Sequence, residues 1–231
     1  MYTNELKRVL ELAGITESEH LAVDHMAAVN KDGNAIKYMK NPSEKIQMAA
    51  VTQDGASIRH IIKSGIKPSE NVQLAAVRNN GEVIKYLSDP PEKVQLAAVK
   101  QDGTLISLIK QPPESVQIKA CENNVDALKH IIEMGITASE QVQLTAINTN
   151  PYAIVYIDNP SEKVQLAAVS IVGHLISYIK DPTEEVKKEA IRKGASIRLI
   201  KNPSEEMKKI HKDRQERIDQ YLNDLKMRGG N

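Results

Sequence analysis

Six histidines and one cysteine are the residues of this chain best suited to ligate a metal or to act as base and nucleophile. His20 and His25 stand five apart, and no cysteine or carboxylate completes a metal set around them at a useful spacing. Cys121 is solitary, so it closes no internal disulfide. It stands where related segments of the chain carry Val, which reads as a small buried apolar side chain in a reducing compartment. No Ser, His and Asp arrangement stands apart from the background, and Asp-Gly and Asn-Gly turns recur without the Gly-rich loop and Lys of a phosphate cradle. These residues point away from an enzyme, a metal or a cofactor, and toward binding chemistry.

Two polar rows could carry such binding. The first is a Gln repeated at one position: Gln47, Gln73, Gln95, Gln117, Gln143 and Gln165, with His25 and Lys187 in its place towards the ends. It fits a structural ladder in which each amide bonds the backbone of an adjacent turn and satisfies groups that stacking would bury. A row of donors and acceptors on a concave face, as in proteins that read one RNA base per repeat, is the alternative. Those readers vary the side chain, and a constant Gln encodes nothing.

The second row is basic. Lys37, Arg59, Lys85, Lys129 and Arg198 share one outward position, with Lys40, Lys63, Lys110, Lys180 and Lys201 a few residues on. Such a row could track phosphates, although cations also complement helix C-termini, as Glu44, Glu92 and Glu162 complement N-termini. Ser107, Val155 and Ser177 interrupt the row, and Glu133 and Asp158 lie beside it. The basic strip is therefore strongest in the first half and suits an anionic protein surface better than continuous DNA. Arg59, His60, Lys63, His130, Glu133, Met134, Tyr152 and His174 break the repeat consensus and so are free for recognition. With Lys85 and Lys129 they are the candidate partner-binding residues. His60 and His130 stand where Tyr38, Tyr86, Tyr156 and Tyr178 stand in other copies, which predicts half-buried rings with polar tips.

Such rows need elements that recur. The segment Asn41 to Val51 returns at Lys67 to Val77, Asp89 to Val99, Gln111 to Cys121, Thr137 to Ile147, Asn159 to Val169 and Asp181 to Ile191. Counted from Val29 of a diverged first copy, the last residues are 22, 26, 22, 22, 26, 22 and 22 residues apart. Residues 41–110 align with 111–180 without a gap, which marks a duplicated three-repeat unit.

Asn41, Pro42 and Glu44 predict a helix start with Asn as cap, Pro at the first helical position and Glu completing a capping-box-like pair. Asn159, Pro160 and Glu162 say the same, and Ser69 and Ser139 are available where Lys67 and Thr137 replace the Asn. Gly55, Gly81 and Gly103 are expected to supply the positive φ that ends each first helix. Val94, Leu96, Ala97, Ala98 and Val99 cover more than half of that helix, as in a helix sandwiched between copies. Val83, Ile84 and Leu87 give a second helix of about two turns one buried stripe. Helices this short are marginal alone, so the copies must stack.

The expected fold is all-α: a single α-solenoid domain of about eight helix-turn-helix repeats. Residues 1–40 form an N-terminal cap and first repeat, 41–110 and 111–180 the duplicated units, 181–201 the last repeat and 202–231 a longer C-terminal capping helix. A first helix is expected from Asn4 to Leu12 with Leu6, Val9 and Leu10 inward, and a frayed end at Gly229 to Asn231. The last helix, from Pro203 to about Lys226, carries Met207, Ile210, Ile218, Tyr221, Leu222 and Leu225, a thin stripe suited to capping or to dimerisation and docking.

With 31 basic against 30 acidic side chains and a net charge of +1, the overall charge selects no polyelectrolyte partner. Trp and Phe are absent and Tyr numbers seven, so aromatic anchors are scarce. No run approaches the roughly 18 apolar residues of a membrane span, and the first residues lack a signal-peptide run. A cytoplasmic protein with no membrane partner is expected.

The segment Asn159 to Val169 (NPSEKVQLAAV), with Ile176 to Lys180, resembles a family of short helical repeats of unknown function found in bacteriophage, prophage and bacterial proteins. The resemblance covers nearly the whole chain. The repeats are also similar to shortened HEAT and armadillo solenoids, from which they depart in length and in the Gln position. What the resemblance implies is a non-enzymatic binding scaffold, phage-encoded and aimed at a host protein such as a defence or regulatory factor; it carries over no site residue. Another protein is the expected partner, with nucleic-acid backbone binding along the basic row as the alternative and self-association through the C-terminal helix left open.

Overall fold

A computed structural model describes residues 16–228, and every regular element among them is a helix. The chain is an α-solenoid. Its first helices are α1 (Glu17–Lys31), α2 (Glu44–Gln53), α4 (Glu70–Asn79), α5 (Glu92–Gln101), α6 (Glu114–Asn123), α8 (Glu140–Thr149), α9 (Glu162–Ile171) and α10 (Glu184–Arg192). Between them run shorter second elements, and the long α11 (Glu205–Arg228) closes the series. The expected helix from Asn4 to Leu12 and the end from Gly229 lie outside the described residues.

The second elements are where expectation and structure part. In the 22-residue copies they are 3-10 helices, Gly33–Tyr38, Gly81–Tyr86, Gly103–Leu108, Pro151–Tyr156 and Gly173–Tyr178. A 3-10 helix rises about 2.0 Å per residue against 1.5 Å for an α-helix, so six residues reach further along the layer. Only the 26-residue copies have room for α-helices here, α3 (Ile58–Lys63) and α7 (Asp126–Glu133). Each ends in a left-handed glycine, Gly65 at φ 84° and Gly135 at φ 75°. Ile66 N–H reaches Ile61 O at 3.3 Å, and Gly65 N–H reaches Ile62 O at 3.0 Å; Ile136 and Gly135 repeat the arrangement. The four extra residues of the longer period make this turn.

The glycines that open the second elements do something else. Gly55, Gly81 and Gly103 carry no positive φ, contrary to the sequence expectation. A Cβ on Gly33, Gly55 or Gly173 would lie 2.4, 2.5 or 2.4 Å from the carbonyl oxygen of Ala50, Ala76 or Ala190 in the next first helix. Glycine is present because two backbones touch there. The chain leaves the helix at the preceding residue, Asp54 (φ −143°) or Asn80 (φ −147°), which is extended. Its side chain accepts the N–H two residues on: Asp54 from Ala56 at 2.9 Å and Asn80 from Glu82 at 3.0 Å.

The helix entries are corrected too. Asn41 and Asn159 sit in the left-handed region at φ 51° and cap nothing, and Glu44 and Glu162 are the first helical residues. The cap is a hydroxyl: Ser69, Ser139, Ser161 and Thr183 accept the N–H of Val72, Val142, Val164 and Val186 at 3.3–3.4 Å. Three of these hydroxyls, and that of Ser115 one residue inside its helix, also donate to the leading Glu of the preceding copy. Ser69 reaches Glu44 at 2.5 Å, Ser115 reaches Glu92 at 2.5 Å, Ser161 reaches Glu140 at 2.6 Å and Thr183 reaches Glu162 at 2.7 Å. One carboxylate at each helix start thus stitches two copies together while complementing the helix dipole.

Backbone contacts divide the chain into two units, Met1–Lys119 and Ala120–Asn231. In the first, α1, α2, α4 and α5 pack in succession; in the second, α8, α9, α10 and α11 do. Val29, Val51, Val77 and Val99 in the first unit and Cys121, Ile147, Val169 and Ile191 in the second are fully buried columns, as are the Ala residues just before the last seven of them. Each column fills the space that its neighbour leaves, so the stability of every copy depends on the next.

Candidate functional site: a basic and aromatic edge

The Gln row turns inward. The amide nitrogen of each Gln donates to the carbonyl five residues earlier, at Pro42, Pro68, Pro90, Pro112, Ala138 and Pro160, over 2.8–2.9 Å. Each bond ties the entry loop of a copy to its own first helix. Gln47, Gln73, Gln95, Gln117 and Gln165 are buried, and the amide oxygens of Gln73, Gln95 and Gln165 are sealed from solvent without a partner. A ligand cannot read them.

A second set of amides, not singled out from the sequence, joins copies in the first unit. Gln53 Oε1 accepts the Gly33 N–H at 2.7 Å, Asn79 Oδ1 that of Gly55 at 2.8 Å and Gln101 Oε1 that of Gly81 at 2.9 Å. Asn79 and Gln101 also donate back, to Thr52 O at 3.0 Å and Val77 O at 2.6 Å. Their shared position at the end of each first helix was the available signal.

With these groups committed to stacking, the remaining candidate side chains lie along the edge formed by the second elements. In the first unit it carries Lys37, Tyr38, Arg59, His60, Lys63, Lys85 and Tyr86. Tyr38 is 82 % exposed, with the Lys37 ammonium 4.7 Å from its ring centroid; Lys85 lies 5.5 Å from the Tyr86 ring and 3.4 Å from Glu82. Arg59 Nε lies 3.3 Å from His60 Nε2, which is 3.2 Å from Asn34 Oδ1. The Asn34 amide in turn donates to Asp54 at 2.7 Å. Partial burial, followed by the charges of Arg59, Lys37 and Lys63, holds the His60 imidazole below its usual range, with Asp54 opposing. Arg59 thus lies against the ring, and Lys37 and Lys63 add positive charge near it. None of the three forms an ion pair with a carboxylate among the described residues.

The second unit presents a different edge. Lys129 lies 3.7 Å and His130 3.3 Å from Glu133, so the equivalents of Arg59 and His60 have an acid between them. Met134, half-buried, caps α7. Tyr152 Oη and His174 Nε2 are 2.9 Å apart on exposed side chains of adjacent copies. Among the candidate residues, Arg59 lies against His60, Lys129 and His130 pair with Glu133, and Tyr152 meets His174. Lys85 belongs to the next copy along from Arg59.

Cys121 is buried, and burial pushes its thiol pKa up to about 12, leaving too little thiolate at neutral pH for redox or nucleophilic chemistry. Among the described residues no group of three or more His, Cys, Asp or Glu could hold a metal ion, and no helix is long and apolar enough to cross a membrane. The architecture places the chain in the class of α-solenoids. Comparison with family models, with curated proteins and with solved structures gave no match.

Proposed function

We propose that this chain is a non-enzymatic repeat scaffold that binds an acidic segment of another protein along the second-element edge of its first unit. The observation that carries the reading is Arg59 3.3 Å from His60, with Lys37 and Lys63 adding positive charge around that ring, none of the three cations in an ion pair among the described residues, and Asp54 the carboxylate that opposes them at His60. Clustered like charges repel one another, and beyond the helix C-termini that Lys37 and Lys63 complement, the three cations bury no apolar surface and form no ion pair among the described residues. Two exposed tyrosines flank them and offer apolar area and hydroxyls to a protein surface. The bacteriophage source and host partner suggested by the repeat resemblance belong to the same proposal and rest on that resemblance alone.

Nucleic-acid backbone binding is the rival, favoured by the same cations. Against it stands the short reach of the basic edge: Glu82 pairs with Lys85, and Ser107 replaces the cation in the following copy. Affinity purification of the full chain from its natural source, beside a Lys63→Glu variant, tests the reading. A protein retained by the parent chain and lost by the variant at about 150 mM salt supports it. Recovery of nucleic acid, bound with an affinity that falls in proportion to two or more released counterions as salt rises, would replace it.

A further inference from the structure

One cleft recurs along the chain with its charge changed. The loop that enters a first helix and the end of the next second element enclose it at three places, with volumes of about 320, 410 and 530 Å³. Pro68, Pro160 or Pro182 stands on one side and Leu87, Ile179 or Ile200 on the other. The charges in the lining differ. Lys67 and Asp89 balance in the first cleft, and Asp158 and Asp181 outnumber Lys180 in the second. In the third, between the last two repeats, Lys180, Lys187 and Lys201 outnumber Asp181. Lys187 is the decisive change. Its counterparts Gln73 and Gln165 are buried, each with its amide nitrogen spent on the carbonyl five residues earlier. Lys187, half-buried, reaches Glu184 at 2.8 Å instead, and Glu184 is exposed and outside the lining. Lys180 and Lys201 form no ion pair among the described residues. A cation in place of a neutral amide costs desolvation and gives up the ladder bond, so stacking does not account for it.

We infer that this last cleft binds a small phosphate monoester. Such a group carries about −1.5 to −2 charges at neutral pH and matches a lining in which cations prevail. Three ammonium groups suit it as compact point charges, and the lining holds no Arg to favour a flat carboxylate. Ile176, Ile179, Leu199 and Ile200 offer an apolar wall to the esterified body, with Leu199 44 % exposed. The volume falls within the roughly 300–1,000 Å³ of small-molecule sites. An incoming dianion competes with Glu184 for Lys187 and displaces it. The cleft lies in the second unit and shares no residue with the basic edge of the first, so either reading can fail without the other.

Amide chemical-shift titration of the full chain with phenyl phosphate at about 50 mM salt, where screening is weak, tests this. The expected dissociation constant is about 0.1–1 mM, with the shifts centred on Ser177 to Lys180 and Leu199 to Lys201. Inorganic phosphate moves the same amides but binds about tenfold more weakly, because it leaves the apolar wall uncovered. Lys187→Gln restores the residue of the other copies, so it weakens phenyl phosphate by about tenfold with no loss of thermal stability. Lys201→Gln, on an exposed side chain, also weakens binding and leaves the ladder position untouched. Glu184→Gln frees Lys187 and tightens binding by about threefold. No saturable shift at these amides below about 10 mM phenyl phosphate, or variants of both lysines that bind like the parent, would overturn the inference. Inorganic phosphate that binds as tightly as phenyl phosphate would overturn the esterified ligand.

Discussion

The copy at residues 58–63 and its duplicate at 128–133 share a buried side and differ on the exposed one. Ile58 and Ile61 in the first, and Leu128 and Ile131 in the second, are sealed in the core, and Gly65 and Gly135 end both helices in the same left-handed turn. The outward residues are Arg59, His60 and Lys63 in one and Lys129, His130 and Glu133 in the other. With Glu133 in the place of Lys63, Lys129 and His130 pair internally, whereas Arg59 and Lys63 form no ion pair among the described residues. Stacking therefore constrains one side of the repeat tightly and leaves the other free to diverge.

The comparison breaks most visibly at the backbone contacts that both units share. Gly55→Val and Gly173→Val should each cost about 3 kcal/mol or more in chemical denaturation, because the new Cβ meets a backbone carbonyl that cannot move aside. Gly65→Ala and Gly135→Ala, where a Cβ meets nothing within 4 Å and only the positive φ opposes it, should cost about 1 kcal/mol each. Equal losses from both classes of glycine would mean that close approach is not what the first class serves.

A smaller effect separates the units. Asn79→Ala and Gln101→Ala each remove an acceptor for a glycine N–H and a donor to a neighbouring carbonyl, at an expected cost of about 1–2 kcal/mol. At the corresponding position of the second unit Thr149 bonds only within its own helix, to Thr145 O at 3.0 Å, so Thr149→Ala should cost less than about 0.5 kcal/mol in the same denaturation series. Lys63→Glu rebuilds the second unit's edge in the first. It should lower affinity for the acidic partner by about tenfold in calorimetric titration, and Glu133→Lys should create a second, weaker site for it.

The smallest effect is one of pH. Because the folded His60 binds its proton less readily than the unfolded one, the unfolded state takes up more protons as pH falls through about 6.5. Stability should decline there by a fraction of a kcal/mol, and His60→Gln should flatten the decline. Bound carboxylates favour the imidazolium, so partner affinity should rise as pH falls below about 6.5.

The periodic features were legible in the sequence. The 22 and 26 spacings gave the helix pairs, and Ser69 and Ser139 were readable as caps because no better residue stood near. The difference between Lys63 and Glu133 needed only an alignment of the chain with itself. Gly55 was misread because a turn glycine and a contact glycine look alike until the distance to the next helix is known. Asn41 was misread as a cap because Asn suits both a cap and a left-handed residue. The meeting of Asn34 with His60 was out of reach, since it depends on how two neighbouring copies lie edge to edge.

On the proposed function, Lys37, Arg59 and Lys63 serve recognition and contribute nothing to stacking. Urea denaturation of the variant Lys37→Ala/Arg59→Ala/Lys63→Ala measures this directly. The account predicts a free energy of unfolding equal to that of the parent, or higher by up to about 1 kcal/mol as repulsion is relieved. A loss of more than about 1 kcal/mol would show that the cluster belongs to the structure and would contradict it.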